Sequence, residues 1–158
     1  MFRYRGNPFA LGIESEPEVS LPASECVTLS DDGRISVRAG NPERVRQLLV
    51  FWYTGETEKI ARELVPAWSK KLNVRPRAVA VKYARTRWGS CSSKGRIFLN
   101  SRLAMLSDDV AEYVVVHELC HLKHMNHGKY FWDEVKRALP SAMPLRRSLR
   151  EQEREAVL

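Results

Sequence analysis

V-V-V-H-E-L-C-H-L, from Val114 to Leu122, is an apolar helix-forming run that carries two histidines four positions apart. All four histidines of the chain, His117, His121, His124 and His127, fall within eleven positions of this segment. On a helix, His117 and His121 share one face, with Cα atoms about 6 Å apart along the axis. Two imidazoles so placed can converge on one zinc ion and leave room for a third ligand and a water. Glu118 follows His117 directly and is rotated by about 100° around the axis. It flanks the metal without binding it, where a carboxylate can take a proton from a metal-activated water. Ordinary helix histidines satisfied by hydrogen bonds would account for the pair alone. They would not account for a glutamate at the base position and further histidines close by.

His124 and His127 compete for the third ligand position. His124 lies about 10.5 Å from His117 along a continuous helix, and three ligands strung along one straight face do not easily form a corner of a tetrahedron. His127 follows Asn126, a residue suited to the left-handed turn that ends a helix, and can swing back from another direction. His127 is therefore favoured, and His124 is read as a surface residue. Cys120 points off the ligand face and reads as a core thiol. Cys91 reads as a small packed residue in a tight loop, with distal ligand or reactive thiol as its alternatives. Trp88, Tyr130, Phe131 and Trp132 read as core, with a donor to an oxyanion as the alternative role for Tyr130 or Arg87.

Outward from this centre, Ser107 with Asp108 and Asp109 predicts the start of the histidine helix, which is expected to run to about Asn126. Upstream, Arg77 to Ala84 and Arg96 to Asn100 predict short strands joined by R-T-R-W-G-S-C-S-S-K-G, a small, polar run suited to a loop or a bulged hairpin. Asn41-Pro42 predicts a helix start, with the helix divided at Gly55 and kinked at Pro66. V-T-L-S-D-D-G-R-I-S-V-R-A predicts a β-hairpin turning at Asp31 to Gly33. Downstream, one helix is expected over 128–139 and a charged one after Pro144. The class is α+β, a short and mostly antiparallel sheet on helices. One domain is expected: a loose arm over 1–20, a hairpin over 21–40, a catalytic core over 41–140 and a C-terminal helix over 145–158.

At 158 residues with 44% hydrophobic and 28% charged residues, the chain has an ordinary globular balance. Its longest apolar run, Leu48 to Tyr53, is far short of a membrane span. The N-terminus does not read as a signal peptide, and three cysteines with no framework spacing suit reduced thiols, so a cytoplasmic location is expected. Between Lys59 and Arg102 stand twelve Lys or Arg and one acid, Glu63, a block of +11 in a chain of net +7. Such a block suits a nucleic acid, the phosphates of a nucleotide, or only a solvated face.

The blocks R-W-G-S-C, H-E-L-C-H and N-H-G-K-Y-F-W together resemble the YgjP-like metallopeptidase family, related to SprT-like proteases, over roughly Trp52 to Pro140. The resemblance implies a small gluzincin-like fold, zinc held by His117, His121 and His127, and Glu118 as catalytic base. The leading expectation is thus a zinc (Zn2+) metallopeptidase acting on a peptide or protein. In this reading the substrate adds along Arg96–Asn100, and Arg87, Tyr130 and Arg96 contact it. The alternative is a nucleoside triphosphate pyrophosphatase whose phosphates Arg85, Arg87, Lys94 and Arg96 would clamp. A nucleic-acid-binding module with a structural zinc closed by four protein ligands comes last.

Overall fold

Asn41 accepts a hydrogen bond from the Arg44 amide (2.8 Å) and Pro42 occupies the first helical position, so α1 begins at a defined cap. It runs as one helix, Pro42–Leu72, to a left-handed cap at Asn73. The expected break at Gly55 and division of the helix are not found. Gly55 faces open space, so it costs only its flexibility, and the helix is held from its other face by Leu48, Leu49, Tyr53 and Ile60, all buried. The computed structural model describes residues 2–15 and 22–156.

Around α1 stand two small mixed sheets, three of whose five strand pairings are antiparallel. The first has strand order β1-β2-β4-β3, with β1 Phe2–Tyr4, β2 Asn7–Glu14, β3 Val27–Ser30 and β4 Arg34–Arg38. β3 and β4 form the expected hairpin, and Gly33 takes the positive φ (81°) that its turn requires. β2 pairs parallel to β4. The loose arm expected over 1–20 is thereby corrected for the residues described: 2–14 are strands latched onto the body. The Arg5 amide bonds the Ala104 carbonyl (2.9 Å) and the Tyr53 hydroxyl bonds the Arg3 carbonyl (2.6 Å). Residues 1 and 16–20 of that segment lie outside the described residues.

The second sheet has order β5-β7-β6, with β5 Ala78–Lys82, β6 Gly89–Cys91 and β7 Arg96–Asn100. β7 is central, parallel to β5 and antiparallel to β6. Ile97 and Leu99 point into the core. After a 3-10 turn, Ser101–Met105, the helix α2 spans Asp108–Cys120. Ser107 stands at its N-cap, but its hydroxyl accepts from Gln152 (2.9 Å) and makes no cap bond. α3, Lys129–Ala138, and α4, Ala142–Glu153, complete the α+β fold. α2 is buried nearly all round, and Trp68 on α1 bonds Glu112 on α2 (2.8 Å), fixing the two helices together. Among the described residues no helix is long and apolar enough to cross a membrane.

Candidate metal centre

α2 ends at Cys120, earlier than the expected Asn126. The amides of Leu122 and Lys123 fold back to Leu119 and Cys120 (both 3.1 Å), which tightens the last turn and releases the chain. Asn126 is not left-handed; among the described non-glycine residues only Arg5 and Asn73 have positive φ. The early stop matters because it leaves 122–128 free to loop back. His117 comes from the last turn of α2 and His121 caps its C-terminus, and His127 returns from that loop.

The His127 Nε2 atom lies 3.0 Å from His117 Nε2 and 3.1 Å from His121 Nε2. Two nitrogens held at about 2.0–2.1 Å from one tetrahedral zinc are about 3.3 Å apart, so the spacing fits such an ion. His121 Nδ1 faces the His124 carbonyl at 3.0 Å, and a carbonyl can only accept. The His121 proton therefore sits on Nδ1, and its Nε2 lone pair points inward. One proton on His127 cannot satisfy both neighbours, and a cation relieves the lone-pair repulsion. Burial, then the neighbouring His121, His127 and Arg146, pushes His117 down to about 3, and His121 is lowered chiefly by burial. Both rings are thus neutral, the state that coordinates a metal. The buried His117 Nδ1 has no partner, so packing holds this ring: Tyr113, Phe131 and Trp132 lie against it with centroids 4.9–5.9 Å away. Phe131, fully buried, touches all three imidazoles and forms the floor of the site.

Glu118 is buried beside the triad, and burial pushes its carboxyl up to about 7. It leans on Gly89 of β6, where a Cβ would come within 2.7 Å of its Cγ and 2.8 Å of Oε1. Glycine at this position makes room for the carboxylate. His117 and Glu118 stand between two open cavities. One, about 260 Å3, is lined by Arg87, β6, His121, Met125 and His127. The other, about 320 Å3, reaches Tyr113 and α4.

Arg87 lines both cavities. Arg96 lies elsewhere, lining a depression with Arg77 and Phe98, and Tyr130 is 76% exposed with its ring stacked on His124. Of the four cations expected to clamp phosphates, only Arg87 reaches the histidines; Arg85 and Lys94 line neither cavity. β7, expected to receive substrate, has partners on both sides, so the edge strand at the site is β6. Cys120 is a core thiol, raised to about 12 by burial, and Cys91 lines the smaller cavity outside the triad. Only three ligand groups gather among the described residues, not the four of a closed structural site. Gly89, Asn100 and the arginines of α4 are residues that sequence reading passed over. Asn100 donates to the carbonyls of Ala84 (2.7 Å) and Arg87 (2.5 Å), and so shapes the loop that presents Arg87.

Three imidazoles drawn to one point beside a buried carboxylate, on a small α+β frame, suit the class of metal-dependent hydrolases. Within that class the chain belongs to the YgjP-like metallopeptidase family: the description "YgjP-like, metallopeptidase domain" matches residues 1–152. The match takes in the N-terminal strands as well as Trp52 to Pro140. No curated protein matches the sequence. A solved structure of similar fold is the crystal structure of the metallopeptidase zymogen of Pyrococcus abyssi abylysin, with a TM-score of 0.52 and 23% identity. The likeness covers 58% of this chain and 93% of that one.

Proposed function

We propose that the protein is a zinc peptidase in which His117, His121 and His127 hold the ion and Glu118 is the general base. The observation that carries this reading is the meeting of three Nε2 atoms beside a buried carboxylate at the mouth of open cavities. When bound, the ion would polarise the scissile carbonyl and acidify a water. Glu118, raised towards neutrality by burial, accepts a proton from the attacking water and returns it to the departing amine nitrogen. β6 supplies an unpaired strand edge along the smaller cavity, where an extended peptide backbone can add. Arg87, at the junction of the two cavities, is placed to donate to the carbonyl oxygen as charge develops on it.

Glu118→Gln tests the assignment. The variant is expected to retain one equivalent of zinc by elemental analysis and to lose turnover of a peptide substrate by about a thousandfold. Undiminished turnover would remove Glu118 from its role.

A further inference from the structure

The larger cavity, about 320 Å3, lies on the side of Glu118 away from His121 and His127. Its charged wall comes from α4 and from the loop before β6. Arg146 and Arg150 are four residues apart on α4, so they project from one face, and Arg87 stands with them at the cavity. Against these three guanidinium groups the lining offers one carboxylate besides Glu118, that of Glu153. Among the described residues none of Arg87, Arg146, Arg150 or Glu153 is engaged in an ion pair, although eight other pairs form. Arg146 is half-buried, its guanidinium resting 4.7 Å from the centre of the Trp132 ring. That contact pre-orders the group, so less freedom is lost when an anion binds. Trp88, Val114 and Leu149 supply apolar surface between the charges.

We propose that this cavity is a subsite for an acidic side chain, an aspartate or glutamate next to the peptide bond that is cut. The proposal rests on the metallopeptidase reading and adds its substrate class. A carboxylate matches the planar fork of a guanidinium in two parallel hydrogen bonds. The methylenes of the same side chain fit the apolar floor. His117 and Glu118 form the opposite wall, so whatever enters is directly adjacent to the reacting bond. A nucleoside triphosphate suits the site less well, because Lys94 and Arg96 stand away from it.

The test uses zinc-loaded protein and fluorogenic peptide pairs that differ only by Glu or Gln on either side of the scissile bond. At one position Glu is expected to be favoured in kcat/KM by about ten- to a hundredfold, the worth of charge-assisted hydrogen bonds. Arg146→Glu, or Arg150→Glu where the first fails to fold, is expected to abolish that ratio and turn it towards a lysine peptide. Because the readout is a ratio within each variant, a general loss of activity does not mimic it. Equal rates for Glu and Gln peptides overturn the subsite and leave the peptidase standing. If no peptide is cut, the peptidase reading fails, and calorimetric titration of Glu118→Gln protein with the same peptides decides the cavity. Tighter binding of the Glu peptide, lost in Arg146→Glu, supports the subsite; equal affinities, or nucleoside triphosphate binding that displaces and exceeds the Glu peptide, overturn it.

Discussion

Gly89 and Glu118 are 29 positions apart in sequence and in contact in space, and the proposed chemistry depends on that contact. Gly89→Ala places a methyl group 2.7–2.9 Å from the Glu118 side chain, inside the range where something must shift. The residue that shifts is Glu118, the proposed base. The variant is expected to lose at least about tenfold in kcat, since a misplaced reacting group is costly, while binding zinc as the parent does. Metal content and kcat measured on one preparation check both halves of this expectation. The contrast between Gly89 and the histidines shows what can be read from a one-dimensional string. His117 and His121 are legible because a helix converts a spacing of four into adjacency. Gly89 stood in the quoted R-W-G-S-C block with no role assigned, because nothing in the string says which side chain will lean on it. Arg146 and Arg150 looked like ordinary charges of a solvated helix for the same reason.

Among the elements, α1 departs most plainly from what its residues suggest. Glycine and proline usually mark boundaries, yet Gly55 and Pro66 lie inside one helix of 31 residues. Local preference of about 1 kcal/mol per glycine is small beside the burial of Leu48, Leu49, Tyr53, Ile60 and Trp68 along one face. Because a Cβ at Gly55 meets nothing within 4 Å, Gly55→Ala is expected to stabilise the protein by about 0.5–1 kcal/mol. Urea denaturation checks this: the midpoint should rise with an unchanged slope. α2 departs in the opposite sense and stops short. An apolar period predicts where a helix can run, but its end here is set by the tight turn from Leu119 to Lys123. β5 was legible from its alternation and β7 from its β-prone residues. The three-residue β6 was not, since so short a strand exists only because β7 lies beside it.

The N-terminal sheet and the half that carries the histidines form one connected body, joined through α1. Tyr53 is fully buried and donates to the Arg3 carbonyl of β1, while Tyr4 donates to Glu56 one turn further along α1 (2.8 Å). Thr57 donates to the Ser101 carbonyl (2.7 Å) and accepts from the Ala104 amide (3.2 Å), tying the same helix to the segment that precedes α2. Burial raises the Tyr53 phenol well above its ordinary value of 10. The folded state therefore keeps a proton that the unfolded chain gives up, so this contribution is complete below pH 10 and is lost as pH rises beyond it. Tyr53→Phe is expected to cost about 1–2 kcal/mol at neutral pH, by stranding the Arg3 carbonyl. It should also flatten the alkaline limb of a melting-temperature profile between pH 9 and 11. A loose N-terminal arm would predict neither result, and the family match that begins at residue 1 agrees with the latch.

The two halves of the triad differ in footing. His117 and His121 are anchored on α2 among buried neighbours, whereas His127 is exposed on the connection to α3. A captured cation would therefore act as a rivet between the two helices as well as a reagent. Stripping it with a chelator would free the 122–128 segment first, making that connection the preferred point of protease nicking while α1 and both sheets stay whole.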